Sequence, residues 1–157
     1  MHESVGRFVE LARMYCAFVE KAHTAAPAAL LRDTARHLAS LYAAALQLPD
    51  LGSSDDADPP DVPTPRWPGF AEHETYWEIF DPAKEDKAVV GSLTDDVMDV
   101  YSDVKSGLLL LEDRKPSAVA NAVWHWRFTL ATHWGDHAVD ALRALQRALH
   151  RASRQRA

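Results

Sequence analysis

A chain of 157 residues, 47% apolar and 25% charged, has the size and balance of one globular domain that builds its core without staples. A net charge of −6 argues against nucleic acid as the main partner, and a single cysteine, Cys16, excludes an internal disulfide. No apolar run approaches the ~20 residues that cross a bilayer, and residues 1–23 mix charges into an amphipathic pattern unlike a secretory signal, so a cytoplasmic setting is expected.

The chain is rich in Ala and Leu and poor in glycine, which favours helix. A first helix is expected over 3–23, because Val5, Phe8, Val9, Ala12, Tyr15, Cys16 and Val19 recur at three- and four-residue steps. Cys16 on that stripe reads as a small core residue rather than a reactive thiol. Pro27 suits the first turn of a second helix, expected over 27–47 and antiparallel to the first. His37 lies at the edge of its apolar side and reads as a boundary histidine.

Residues 48–66 change character, with repeated proline and aspartate that permit neither helix nor inner strand. They are expected to form a mobile loop, and they lack the ligand spacing and central glycine of a calcium-binding EF-hand. Trp67, Phe70, Tyr76, Trp77, Ile79 and Phe80 follow, too much aromatic surface to leave in water. They are expected to lie on the bundle as a strap over 66–82, with a short helix near 71–79 that Asp81-Pro82 stops. A charged loop is then expected over 83–91.

Ser92 with Asp95 three places on begins a capping box, and a third helix is expected over 93–113. Leu93, Val97, Val100, Tyr101, Val104 and Leu108 make its core stripe, with Asp96, Asp99 and Asp103 along one edge. From Pro116 to about Ala152 no strong stop occurs, so the fourth helix, ~55 Å at 1.5 Å per residue, either breaks near Gly135 or overhangs its partners; one long helix bent at Gly135 is expected. Its arginine-rich end reads as a solvated C-terminus, with 153–157 frayed. The expected architecture over 1–157 is a single all-α domain. It is a bundle of four main helices with a long Pro/Asp-rich crossover and an aromatic strap between helices two and three.

The chemistry concentrates on that fourth helix. On a wheel of ~100° per residue, Trp126, Trp134, Ala138 and Leu145 share the buried side with His133 and His137, and Arg127 and Asp140 lie near it. Buried cations and imidazoles need partners, so Asp96, Asp99 and Asp103, or Glu72, Glu74 and Glu78, are expected to face them. Three readings stay open. The cluster is a satisfied structural network; or His133 and His137, four apart, bind a divalent metal with Asp99 and Asp103; or Trp124, Trp126 and Trp134 line an apolar ligand pocket. The Glu-x-x-His pattern of di-iron bundles and the zinc-protease motif are both missing. Trp124 and Phe128 face away from the stripe and are expected to lie under the strap or to form a partner surface.

The blocks Tyr76-Trp77-Glu78-Ile79-Phe80-Asp81-Pro82, Asp95-Asp96 through Val100-Tyr101-Ser102-Asp103-Val104-Lys105-Ser106-Gly107-Leu108, Trp124-His125-Trp126-Arg127-Phe128 and His133-Trp134-Gly135-Asp136-His137-Ala138-Val139-Asp140 resemble an uncharacterised bacterial family, domain of unknown function 5063. The resemblance implies an all-helical bacterial cytoplasmic protein and brings no activity. The expected function is a non-enzymatic interaction or accessory module, without cofactor, that pairs with a protein partner or with itself through helix four. The alternative is a metal-binding or hydrolytic protein centred on His133 and His137.

Overall fold

The computed structural model describes residues 2–52, 58–79, 81, 83–113 and 115–154. The acidic stretch 53–57, Phe80, Pro82 and the tail from 155, read above as loop, strap, helix stop and frayed end, lie outside the described residues.

Helix α1 (Glu3–Lys21) buries the expected stripe from Val5 to Val19 and ends in a 3₁₀ turn, Ala22–Thr24. Helix α2 (Pro27–Ala45) starts with Pro27 in its first turn, where a missing N–H is harmless. Helix α3 (Leu93–Leu111) is capped by Ser92, whose Oγ accepts the Asp95 N–H at 3.2 Å. Asp95 and Asp96 sit in its first turn, where the helix dipole favours them.

The expected single fourth helix is two helices, α4 (Ala118–Thr132) and α5 (Trp134–Arg154). The backbone leaves helical geometry at His133, with φ −152° and ψ −85°. Gly135 permits the re-start. A Cβ there would stand 2.0 Å from the Leu130 carbonyl oxygen, so only glycine lets the first turn of α5 press against the end of α4. Splitting the helix removes the overhang that a ~55 Å rod would have left beyond its neighbours.

Helix α1 packs on α2 and α3, and α5 packs on the same two, closing a four-helix bundle; α4 lies against α3 and α5. Trp126 and Trp134 are fully buried, each contributing ~4–6 kcal/mol of transfer free energy by area. The Trp126 indole donates to the Val104 carbonyl at 3.1 Å, and the Trp134 indole donates to the Trp126 carbonyl at 3.2 Å. Phe8 closes over Trp126 with ring centroids 4.8 Å apart.

The strap departs from expectation. Only Ala71–His73 is helical, as a 3₁₀ turn. Thr75–Glu78 (β1) and Val89–Ser92 (β2) form an antiparallel hairpin with Tyr76 opposite Gly91 and Trp77 opposite Val90. The run Thr-Tyr-Trp-Glu-Ile is β-branched and aromatic and suits a half-buried strand better than a helix. Tyr76 and Glu78 turn inward, Thr75 and Trp77 outward. Glu74 ties the hairpin to α3. Its carboxylate accepts the Phe70 and Thr94 N–H groups at 2.9 Å each, the Thr94 hydroxyl at 2.8 Å and the Ser92 hydroxyl at 2.9 Å.

Trp67 packs between Phe18 of α1 and Phe70. Trp124 and Phe128 stack on each other in the open, 42% and 51% exposed, so the strap does not shield them. His37 stacks on Phe18 at 4.6 Å, as a boundary histidine should, and burial pushes its pKa down. Cys16 is buried, and burial pushes its thiol up to about 12, which keeps it inert.

Candidate metal centre

The hairpin, α3 and the start of α5 converge on one polar cluster. Helix α3 supplies Asp96, Asp99 and Asp103 at three- and four-residue steps, one ladder along one face. The α4–α5 junction supplies His133, and the first turn of α5 supplies His137. The hairpin supplies Tyr76 and Glu78.

Each histidine is gripped by a carboxylate through Nδ1. His133 Nδ1 lies 2.8 Å from Asp103 Oδ2, and His137 Nδ1 lies 2.9 Å from Asp96 Oδ1. His137 Nε2 lies 3.3 Å from Asp99 Oδ2. His133 Nε2 has no hydrogen-bond partner among the described residues. The two rings meet edge to face with centroids 4.9 Å apart. One ligand atom each from Asp99, His133 and His137 lies within 4.8 Å of the other two. Ligand atoms of a tetrahedral zinc stand about 3.3 Å apart, so the three need close by only ~1–1.5 Å.

Behind this triad the cluster is anchored. Asp96 is buried and also accepts the Tyr76 hydroxyl at 2.6 Å. Burial pushes the Asp96 carboxyl up, against the pull of its bonds to His137 and Tyr76. The bond to Asp96, with the nearby charges of Asp99 and Asp96, holds His137 above the ordinary histidine range despite its burial. The His137 ring stands between two carboxylates, Asp96 and Asp99. Asp140 is pushed up to about 6, first by burial and then by Glu78 beside it. An open cleft of about 340 Å³, bounded by Glu78, Asp95, Asp96, Asp99 and His137, leads to the cluster from the hairpin side.

The structure therefore brings together His133, His137, Asp99 and Asp103, with Asp140 at the margin. It separates the others. Arg127, expected beside the histidines, points to the crossover and pairs with Asp50 at 2.9 Å. The break at His133 rotates α5 relative to α4, so one helical wheel does not describe both. For the same reason His133 is 47% exposed rather than on the buried side. Trp126 and Trp134 are fully buried in the core, and Trp124 faces solvent. Tyr76, expected among the packed strap aromatics, reaches the cluster with its phenol.

Residues 69–151, the hairpin through α5, match the sequence model of a family described as "Domain of unknown function (DUF5063)". The chain belongs to this family. The match covers every element that builds the cluster. The DUF5063 chain also resembles protein BF1032 from Bacteroides fragilis, known from a crystal structure, at 21% sequence identity and a TM-score of 0.75 over 92% of this chain and 90% of that one. That likeness fixes the bundle as a shared fold and carries no activity. None of the curated proteins matches the chain.

Proposed function

We propose that this DUF5063 protein binds a divalent transition metal at His133, His137 and Asp99. One observation carries the reading. One ring nitrogen of each imidazole and one Asp99 oxygen lie within 4.8 Å of one another, and each Nδ1 is held by its own carboxylate, Asp103 for His133 and Asp96 for His137. A carboxylate behind a metal-binding histidine fixes the tautomer, orients the ring and raises its basicity. Two nitrogens and one oxygen suit zinc or a neighbouring first-row ion better than calcium or magnesium, which take oxygen ligands.

Three protein ligands leave a fourth position for water. A metal held there would supply Lewis-acid activation of that water, and Asp140, pushed up to about 6, lies one helical turn beyond His137 on α5. This supports metal-assisted hydrolysis as the reaction class. The test is metal content by elemental mass spectrometry on protein purified without a histidine tag, alongside His133→Ala and His137→Ala. The expected result is about one metal per chain, lost in both variants. Metal-free wild type that also fails to take up added zinc refutes the reading.

A second reading rests on α4. Trp124 and Phe128 form a stacked, solvent-facing aromatic pair, centroids 5.0 Å apart, of the kind that marks a contact surface. Self-association through α4 is compatible with the metal site, which opens elsewhere, and sedimentation of wild type against Trp124→Ser with Phe128→Ser tests it. A monomer at high concentration removes it.

A further inference from the structure

The hairpin has a second side. A groove of about 530 Å³ runs between β1 with the following Ile79 and the later part of α5, where Arg143, Arg147 and Arg151 line it. The sheet has two strands, so β1 is paired on one edge only. In an antiparallel pair alternate residues direct their N–H and C=O groups outward, and those of β1 find no backbone partner among the described residues. An open strand edge is a template for another extended chain unless something blunts it. Trp77, on the outward face of β1, is 71% exposed.

The charge of the groove selects what pairs there. Arg147 and Arg151 make no ion pair among the described residues, and Arg143 has only a long contact with Asp140 at 3.7 Å. The groove also holds two carboxylates, but Glu72 lies beside His73 at 3.7 Å and Glu78 turns inward toward Asp140. The spacing is specific. Arginines four residues apart on a helix repeat every ~6 Å, and side chains on one face of a strand repeat every ~6.6–6.8 Å. Arg143 to Arg151 spans ~12 Å of helix, and Thr75 to Ile79 spans ~13 Å of extended chain.

We propose that this groove binds an extended acidic segment of a protein partner, added as a third strand along β1 with carboxylates at alternate positions facing Arg143, Arg147 and Arg151. Main-chain bonds to β1 would give affinity, and the arginine row would give sequence preference and register. The apolar positions between the carboxylates would meet Trp77 and Ile79.

The experiment uses the full chain and a fluorescein-labelled peptide of alternating Glu and Val, three of each, compared with an isomer carrying the three Glu in one block. Anisotropy should show the alternating peptide binding at least tenfold tighter, with affinity falling as salt rises. Arg147→Glu with Arg151→Glu should weaken it at least tenfold, while circular dichroism shows the exposed substitutions leave the fold intact. Amide NMR signals of residues 75–79 should shift on binding. Equal binding of the two isomers, retained binding by the double variant, or no binding at millimolar peptide overturns the proposal. A single-stranded oligonucleotide bound in the same groove in place of the peptide also overturns it.

Discussion

Asp140 and Glu78 place two carboxyls side by side at the margin of the cluster, and replacing Asp140 by Asn should make the metal-free protein more stable at neutral pH. In the folded chain Asp140 titrates near 6 rather than at its ordinary 3.8, so the folded state holds a proton that the unfolded state releases. Stability therefore falls as pH rises from about 4 through 6, and the full penalty is present above that. At ~1.36 kcal/mol per pH unit the ceiling is ~3 kcal/mol. The side chain is 28% exposed, and solvent screening brings this to ~1–2 kcal/mol. Asparagine keeps the shape and removes the charge. Urea denaturation with chelator present should show Asp140→Asn gaining ~1–2 kcal/mol at pH 7.5, or ~3–6 °C in Tm, and gaining nothing at pH 4. Parallel stability curves for the two proteins from pH 4 to 8 would refute the protonation argument.

Other perturbations probe the scaffold. A methyl group on Gly107 would stand 2.0 Å from the Trp126 indole nitrogen, so Gly107→Ala should cost ~3 kcal/mol in urea unfolding; a loss under ~1 kcal/mol means the indole is not locked there. Glu74→Ala strips four hydrogen bonds from the joint between hairpin and α3, and should cost ~2–3 kcal/mol and speed amide exchange of Phe70 and Thr94. Unchanged exchange there would show that the joint holds without it. Zinc affinity should weaken as pH falls, because the metal must displace the proton that Asp96 and Asp99 help His137 to keep. The loss should begin above the ordinary histidine range, and competition titrations that stay flat from pH 8 to 6 would exclude His137 as a ligand.

The sequence shows the helices well and the site in part. Stripes such as Val5-Phe8-Ala12-Tyr15-Val19 have one reading, and the structure buries them all. His133 and His137, with the aspartates of α3 at the same repeat, could be paired from spacing alone. Arg127 could not be placed, because a wheel drawn through His133 assumes a continuity that the backbone breaks, and no proline marks the spot. The hairpin was hidden for another reason. Strands of four residues, with Val89, Val90 and Trp77 all exposed, carry too little alternation to separate them from a loop. Tyr76 and Glu78 therefore entered the site only once the pairing was known.

Gly91 gives that pairing a use. It faces Tyr76 across the hairpin, and a Cβ on it would come within 2.6 Å of the phenol ring. The ring lies across the bare backbone and so reaches Asp96, which in turn holds His137. A residue with no side chain thus works as a keyhole. Adding one methyl group there would displace Tyr76, free a buried carboxylate, and detune a histidine on another element without touching either group. Variation at Gly91 is a dial on the cluster that no inventory of its polar atoms would include.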